Sequence, residues 1–355
     1  MILLPRQRLL PCTKNMDSGY MPHLSQVTEM KMAVEQIKKI CAVGAGAMGS
    51  TSALSFAMAG YTVRMQDVAE AGLAVGLKNM QAALESYRQH NLVSAADIPV
   101  IMGRVQTTTL LQEAAADADF ILESIVENLA AKQDVFSKLD KICPPHTIFA
   151  TNTSGISPTK IAQSIGRKDK FVVTHFWNPA HLIPLVEVVP GEETAKETVD
   201  VAYQLMEKIG KKPVRLAREA LGFIGNRIQV AALREALHIV ASGIATAEDV
   251  DTVVRYSLGR RYAATGPIES ADLGGLDVFK GIFSYLGADL CNEPGVPALL
   301  EKTVAAGKLG AKTGEGIYQW PEEKLAAMKE RRVEELFRHL EKDANDRKVK
   351  PGRVA

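Results

Sequence analysis

His175 and Glu187 are the residues of this chain whose types and setting most plainly suit chemistry. His175 closes an apolar run, Phe171-Val172-Val173, with only Thr174 between, and Glu187 sits inside Leu185-Val186-Glu187-Val188-Val189. A carboxylate flanked by Val and Leu is costly to bury unless something pairs with it. The separation allows a loop and a return into a second strand, so His175 can be that partner. A carboxylate on one imidazole nitrogen fixes the tautomer and leaves the other nitrogen free to take a proton. Oxidation of an alcohol needs such a base, because the hydroxyl must lose a proton as hydride leaves the carbon. A lone histidine at a strand end is more often structural, so the weight rests on the pairing. His181, after Pro179-Ala180, has no evident carboxylate and reads as a loop or substrate-shell residue.

The hydride acceptor is suggested upstream. Gly44-Ala45-Gly46-Ala47-Met48-Gly49 is a GxGxxG that follows an apolar strand, Ile40 to Val43, and opens a helix, Met48 to Ala59. In that context the first glycine permits the tight turn and the second lets backbone approach a pyrophosphate. The third lets helix and strand pack closely, and the helix N-terminus offers free N–H groups to phosphate. Asp67 closes the next strand, Tyr61 to Met65, where a carboxylate can accept from both ribose hydroxyls and would repel a 2′-phosphate. NAD is therefore expected over NADP. A glycine turn of purely structural use is the competing reading.

Other strand ends carry further candidates. Glu127 and Lys132 follow the strand in "DADFILESIVEN" and stand on the cofactor side; a solvated helix start with a favourable acidic residue is an equal reading. Asn152 and Ser154 lie in "TNTSG", after the strand "HTIFA", where small polar residues make a turn or cap, or position a substrate oxygen or the nicotinamide. Asn178-Pro179 is a turn after His175. Asn226, in "GFIGNR", is an amide on an otherwise apolar helical segment. It needs partners, either a neighbouring helix or a substrate oxygen across a domain cleft. Glu269, Asp272 and Asp277 read as caps and packing turns.

Strands alternating with helices from Ile40 to the "LVEVV" strand argue for a doubly wound, mostly parallel sheet. A helical hairpin, Ala71 to about His90 and Ala95 to Met102, is inserted after the second strand. From "LGFIGNRIQVAALREALHIVASG" onward the pattern is helical. The expected fold is thus α/β, a Rossmann sheet domain over 36–218 after a flexible extension, 1–35. An all-α domain over 219–322 and a charged helix with a frayed tail over 323–355 complete the chain. With 355 residues, 46% apolar and 23% charged, this is a globular composition. A net charge of +1 gives no reason to expect nucleic acid or an anionic membrane as partner. No apolar run approaches the length of about 18 residues that spans a bilayer, and "MILLPRQRLLPC" is broken by Pro5, Arg6 and Arg8. Cys12, Cys41, Cys143 and Cys291 are scattered, which suits reduced thiols in the cytoplasm and no metal site.

Taken in order, "GAGAMG", "ESIVENLAAK", "TNTSG", "HFWNPAHLIPLVEVV", "GFIGNR", "TGPIESADLGGLD" and "GEGIYQW" resemble the L-3-hydroxyacyl-CoA dehydrogenase family, from Ile40 to about Trp320. The resemblance implies a Rossmann domain, a helical C-terminal domain that forms a homodimer, and NAD-linked oxidation of a 3-hydroxyl to a ketone. By matching motif, His175 is the base and Glu187 its orienting carboxylate. Ser154, Asn178 and Asn226 surround the reacting oxygen. Gly44, Gly46, Ala47, Met48, Gly49, Asp67, Glu127, Lys132, Asn152 and Asn178 contact the cofactor. The leading expectation is oxidation of an L-3-hydroxyacyl-CoA of the hydroxybutyryl type, in fatty acid metabolism. One departure bears on it: family hairpins are rich in Lys, whereas residues 72–106 carry only Lys78, Arg88 and Arg104 against Glu85 and Asp97. The wording "HFWNPAHLIPLVEVV" and "LGRRYAATGP" also resembles relatives that oxidise free small molecules, of the gulonate dehydrogenase and pyridine-ring hydroxymethyl types. The alternative is therefore the same chemistry on a free hydroxy acid or alcohol. A non-catalytic, crystallin-like NAD-binding protein is the remote one.

Overall fold

The structure is a computed structural model, and it describes residues 34–349. The extension expected over 1–35 and the end of the tail lie almost wholly outside them. Val34 and Ile37 are already buried in the core.

The chain begins with β1 (Lys39–Val43), α1 (Ala47–Met58), β2 (Thr62–Gln66), α2 (Glu70–Gln89), α3 (Asp97–Met102) and β3 (Val105–Thr108). It continues with α4 (Leu111–Ala115), β4 (Phe120–Glu123), α5 (Leu129–Ile142), β5 (Ile148–Thr151), α6 (Pro158–Ala162), β6 (Phe171–Phe176), β7 (Leu185–Pro190), α7 (Lys196–Lys208) and β8 (Lys212–Arg215). All eight strands join one sheet in the order β3-β2-β1-β4-β5-β6-β7-β8. From β3 to β6 neighbours are parallel. Helices cover both faces of these central strands, so β4, β5 and β6 are buried at every position and read as continuous apolar runs.

The β6–β7 connection is too short to carry a crossover helix, so β7 returns antiparallel. That register sets His175 directly opposite Glu187 on one face of the sheet. Crossover through α7 then makes β8 parallel to β7. The two edge strands were not apparent from the sequence. β3 buries no residue, and β8 buries only Pro213, so neither shows the apolar run of an inner strand.

The hairpin is α2 and α3. Helix α2 buries Leu73, Gly76, Met80, Ala83, Leu84 and Tyr87, the spacing of one helical stripe. Beyond β8 follow α8 (Gly225–Ala241), α9 (Ala247–Val253), a π-helical stretch (Val254–Leu258), α10 (Gly259–Tyr262), α11 (Pro267–Gly274), α12 (Leu276–Leu286) and α13 (Ala298–Ala305). In a single chain only Leu237 is buried along these helices, while Ile268 and Leu273 are 84% and 80% exposed.

The last element, α14 (Glu322–Val349), returns to the Rossmann domain. Phe337 is fully buried against Tyr87 and Leu182, with Val333, Leu336 and Leu340 packed around it. The His90 ring stacks on Phe337 at 3.9 Å, and its nitrogens meet Glu341 at 3.2 Å and Glu334 at 3.4 Å.

Candidate active site

His175 is 5% exposed and Glu187 is fully buried. His175 Nδ1 lies 2.8 Å from Glu187 Oε2. The other donors on Glu187 settle its state. Its Oε1 accepts from the N–H groups of Ile224 (2.8 Å) and Gly225 (3.0 Å), and Oε2 also accepts from Trp177 Nε1 (3.2 Å). A carboxylate that accepts at both oxygens is ionised, so Nδ1 carries the imidazole proton and Nε2 is left as the acceptor. Burial pushes the Glu187 pKa up, but the bonds from His175, Gly225 and Ile224 outweigh it and hold the carboxyl below its ordinary value.

Two of those donors belong to the start of α8. A helix begins with unpaired N–H groups and positive partial charge, and here a carboxylate from another element satisfies them. The chain reaches this position through Gly222 and Phe223, with φ of 74° and 52°. Phe223 adopts the left-handed conformation although it bears a side chain, and its ring is buried 5.5 Å from the His175 ring. Packing thus offsets a backbone cost of order 1 kcal/mol. Gly225 must be glycine because a Cβ there would lie 2.2 Å from the Trp177 indole.

The nucleotide groove is built from the turn between β1 and α1. Gly44 has φ 100°, and a Cβ on it would lie 2.7 Å from Ser124 O. A Cβ on Gly49 would lie 1.9 Å from Gly44 O, so this glycine serves helix–strand packing. A Cβ on Gly46 would meet nothing within 4 Å, because it faces the open cleft. No side chain caps α1 at Gly46, and no acidic residue stands in its first turn. Asp67, at the end of β2, accepts from Ala45 N at 2.8 Å, which ties it to the turn. An open glycine, an uncapped helix start and a carboxylate one strand away fit a dinucleotide.

Asn152 and Asn226 hold the floor and the far wall. Asn152 Oδ1 accepts from Phe176 N at 2.7 Å, and its Nδ2 donates to Ser124 Oγ at 3.3 Å. Asn226 Nδ2 donates to Ser154 O at 3.0 Å, joining α8 to the turn after β5. Ser154 N in turn donates to Glu127 Oε1 at 2.9 Å, as does the Thr153 hydroxyl. Burial works upward on the Glu127 pKa, and Thr153, Lys132 and Ser154 bring it below its ordinary value.

The resulting cleft has a volume of about 960 Å³, within the range of small-molecule sites, about 300–1,000 Å³. Gly44, Gly46, Ala47, Met48, Asp67, Glu127, Asn152, Ser154, His175, Asn178 and Asn226 all line it. Three expected residues do not. Gly49 and Glu187 stand behind the wall in the packing and orienting roles just described. Lys132 is 1% exposed, with its ammonium 2.7 Å from Glu123 and 3.4 Å from Glu127. It supports Glu127 from below rather than facing the cleft, because the buried Glu123 at the end of β4 demands a counter-charge. Glu123, Trp177, Phe223, Gln229 and Arg332 were not recognised from the sequence. The glycines of "GFIGNR" were the one available signal for the turn that serves Glu187.

Residues 39–220 match the family profile "3-hydroxyacyl-CoA dehydrogenase, NAD binding domain", and residues 222–320 match "3-hydroxyacyl-CoA dehydrogenase, C-terminal domain". A 5-formyl-3-hydroxy-2-methylpyridine 4-carboxylate 5-dehydrogenase of Mesorhizobium japonicum is 36% identical, over 84% of this chain and 96% of that protein. A probable 3-hydroxybutyryl-CoA dehydrogenase of Bacillus subtilis is 37% identical, over 81% and 99%. A solved structure of a 5-formyl-3-hydroxy-2-methylpyridine 4-carboxylic acid 5-dehydrogenase superposes with a TM-score of 0.80 at 34% identity, covering 90% of this chain and all of the other. The two profiles meet where β8 passes into α8. The chain belongs to the 3-hydroxyacyl-CoA dehydrogenase family, NAD-dependent oxidoreductases that act on a CH–OH group.

Proposed function

We propose that this protein oxidises the CH–OH group of a compact free hydroxy acid to a carbonyl, with His175 as general base. The pair of His175 and Glu187, facing a cleft that also holds the dinucleotide groove, carries this reading. Bound NAD supplies the hydride acceptor. His175 Nε2 takes the hydroxyl proton as hydride leaves the same carbon. Glu187 balances the imidazolium charge that this creates. The Ser154 hydroxyl has no partner among the described residues, and Asn226 keeps one amide hydrogen unused; both are free to hold the reacting oxygen. Asn178 lines the cleft beside them.

A free acid is favoured over a thioester by the hairpin. Of its three cations, Arg88 is paired with Glu85 and Arg104 donates to Ala57 O, which leaves little for the phosphates of CoA. The Mesorhizobium relative, named for a pyridine carboxylate, points the same way. The second reading, L-3-hydroxyacyl-CoA to 3-oxoacyl-CoA, is supported by the relatives named 3-hydroxybutyryl-CoA dehydrogenase. The apolar residues exposed on the helical domain suit a homodimer, which light scattering would show as twice the chain mass.

The test is NADH formation at 340 nm with L-3-hydroxybutyryl-CoA, L-3-hydroxybutyrate, L-gulonate and a hydroxymethyl pyridine carboxylate, for the wild type and His175→Ala. Turnover of a free acid, lost in the variant with NADH binding retained, is expected. Turnover of the thioester alone would move the substrate to the second reading, and near-normal rates in His175→Ala would remove the base.

A further inference from the structure

We infer that Arg332 on α14 is the group that recognises the substrate's carboxylate, which makes the returning helix part of the specificity site. This rests on the free-acid reading above and names the residue that enforces it.

Four observations carry it. Arg332 lines the same cleft as His175, Asn178, Asn226 and Gln229, although it lies beyond both matched family profiles. Its guanidinium has no hydrogen bond and no ion pair with any described residue, whereas the neighbouring acids Glu334 and Glu341 are both engaged by His90. Among the residues lining the cleft it is the single Arg or Lys, beside two carboxylates, Asp67 bound to the glycine turn and Glu127 bound to Ser154 N. Finally, the helix is anchored beside the cleft: Val333 is the next residue, and Phe337 is wholly buried five positions on. Arg332 itself is exposed, and its charge is held beside the cleft by the packing of its helix, not by an ionic partner.

An unpaired guanidinium at this cleft offers parallel N–H donors that match a carboxylate bidentately. A phosphate oxygen presents similar geometry, so the cofactor's pyrophosphate and the phosphates of CoA are the competing anions. The pyrophosphate already has the uncapped start of α1. Among the described residues lining the cleft, only Arg332 carries a permanent positive charge that could balance an acid. A hydroxy acid seated there would have its hydroxyl on His175 and its carboxylate on Arg332.

Substitution of Arg332 by Met and by Lys tests this in the full chain. The substrates are L-3-hydroxybutyrate and L-gulonate, each beside its primary amide, with L-3-hydroxybutyryl-CoA as the thioester. Arg332→Met should lower kcat/KM on the acid about 100-fold, the scale of a lost charged hydrogen-bond pair. The loss should fall mainly in KM, with the amide changing less than about threefold and Arg332→Lys recovering part of the loss. The Kd for NADH, read by protein fluorescence, should stay within about twofold, since uniform substrate binding and cofactor binding are separate.

Equal losses on acid and amide would overturn the inference. So would a raised Kd for NADH with the acid-to-amide ratio intact, which would give Arg332 to the cofactor. A wild type that oxidises the acid while Arg332→Met is unimpaired refutes the inference and leaves the free-acid reading standing. A wild type that oxidises only the thioester, or none of these compounds, refutes both.

Discussion

Replacing Glu187 by Gln changes one oxygen to an amide nitrogen and keeps the volume, so its effect isolates charge and proton direction. Four donor atoms define the outcome. Ile224 N, Gly225 N, Trp177 Nε1 and His175 Nδ1 all donate to Glu187. A glutamine offers one acceptor oxygen for the two sides. If its oxygen stays on Ile224 and Gly225, its NH2 faces Trp177 and His175; His175 can then satisfy it only by shifting its proton to Nε2, the position that must accept. If the amide flips, two part-buried backbone N–H groups at the start of α8 lose their acceptor, at a cost of up to about 1 kcal/mol each. The imidazolium also loses its counter-charge. With Nδ1 and Oε2 at 2.8 Å, the charge centres are about 4 Å apart, and at an effective dielectric of 20 the lost attraction is about 4 kcal/mol. That corresponds to a fall in kcat of about 10³-fold; in another His–carboxylate pair the equivalent amide change costs about 10⁴. The assay is initial-rate NADH formation with saturating acid across pH 6 to 10, with NADH affinity measured in parallel by fluorescence. The expected result is a collapse of kcat with nearly normal NADH binding. A kcat within tenfold of the wild type, with an unchanged pH profile, would refute the orientation argument.

The glycine turn gives a paired test: Gly46→Ala should fold with an unchanged Tm but bind NADH at least about tenfold more weakly, since the methyl enters the groove, whereas Gly49→Ala should lose soluble folded protein. Normal NADH affinity in Gly46→Ala would place the phosphates elsewhere. Phe337→Ala removes a fully buried ring and should cost about 3–5 kcal/mol of α14 docking, seen as protease cleavage within 322–349 at concentrations that spare the wild type. Equal resistance would mean that the helix does not depend on this contact. His181 is half-buried with its Nδ1 atom buried and unpartnered, and its pKa is lowered to about 4 by burial and then by Lys211. The folded pKa lies below the unfolded one, so stability is complete above about pH 6.5 and is lost as pH falls toward 4, by at most about 3 kcal/mol. The acid slope of Tm in that window should flatten in His181→Gln, and an identical slope would assign it to other groups.

Strands that bury both faces announce themselves as apolar runs, which is why β1, β4, β5, β6 and β7 were legible. The glycine turn and the His175–Glu187 pair were legible because each combines residue types with a position at a strand end. β3 and β8 were hidden because edge strands need no such run. The ion pairs of Lys132 were hidden for a physical reason. Its cation answers Glu123, whose burial at the end of β4 cannot be told from the sequence position of a carboxylate at a strand terminus. The reach of Arg332 was invisible as well. "EEKLAAMKERRVEELFRHLEK" reads as a charged amphipathic helix, and nothing local says which surface Val333 and Phe337 will find.

The return of α14 has a mechanical consequence. The helical domain leaves the Rossmann domain at Leu216 to Gly222 and is fastened to it again at Phe337. A body joined at one point can tilt in any direction, but a body held at two points turns only about the line through them. Any opening of the cleft would then be confined to rotation about that line and would have to break the Asn226–Ser154 bond.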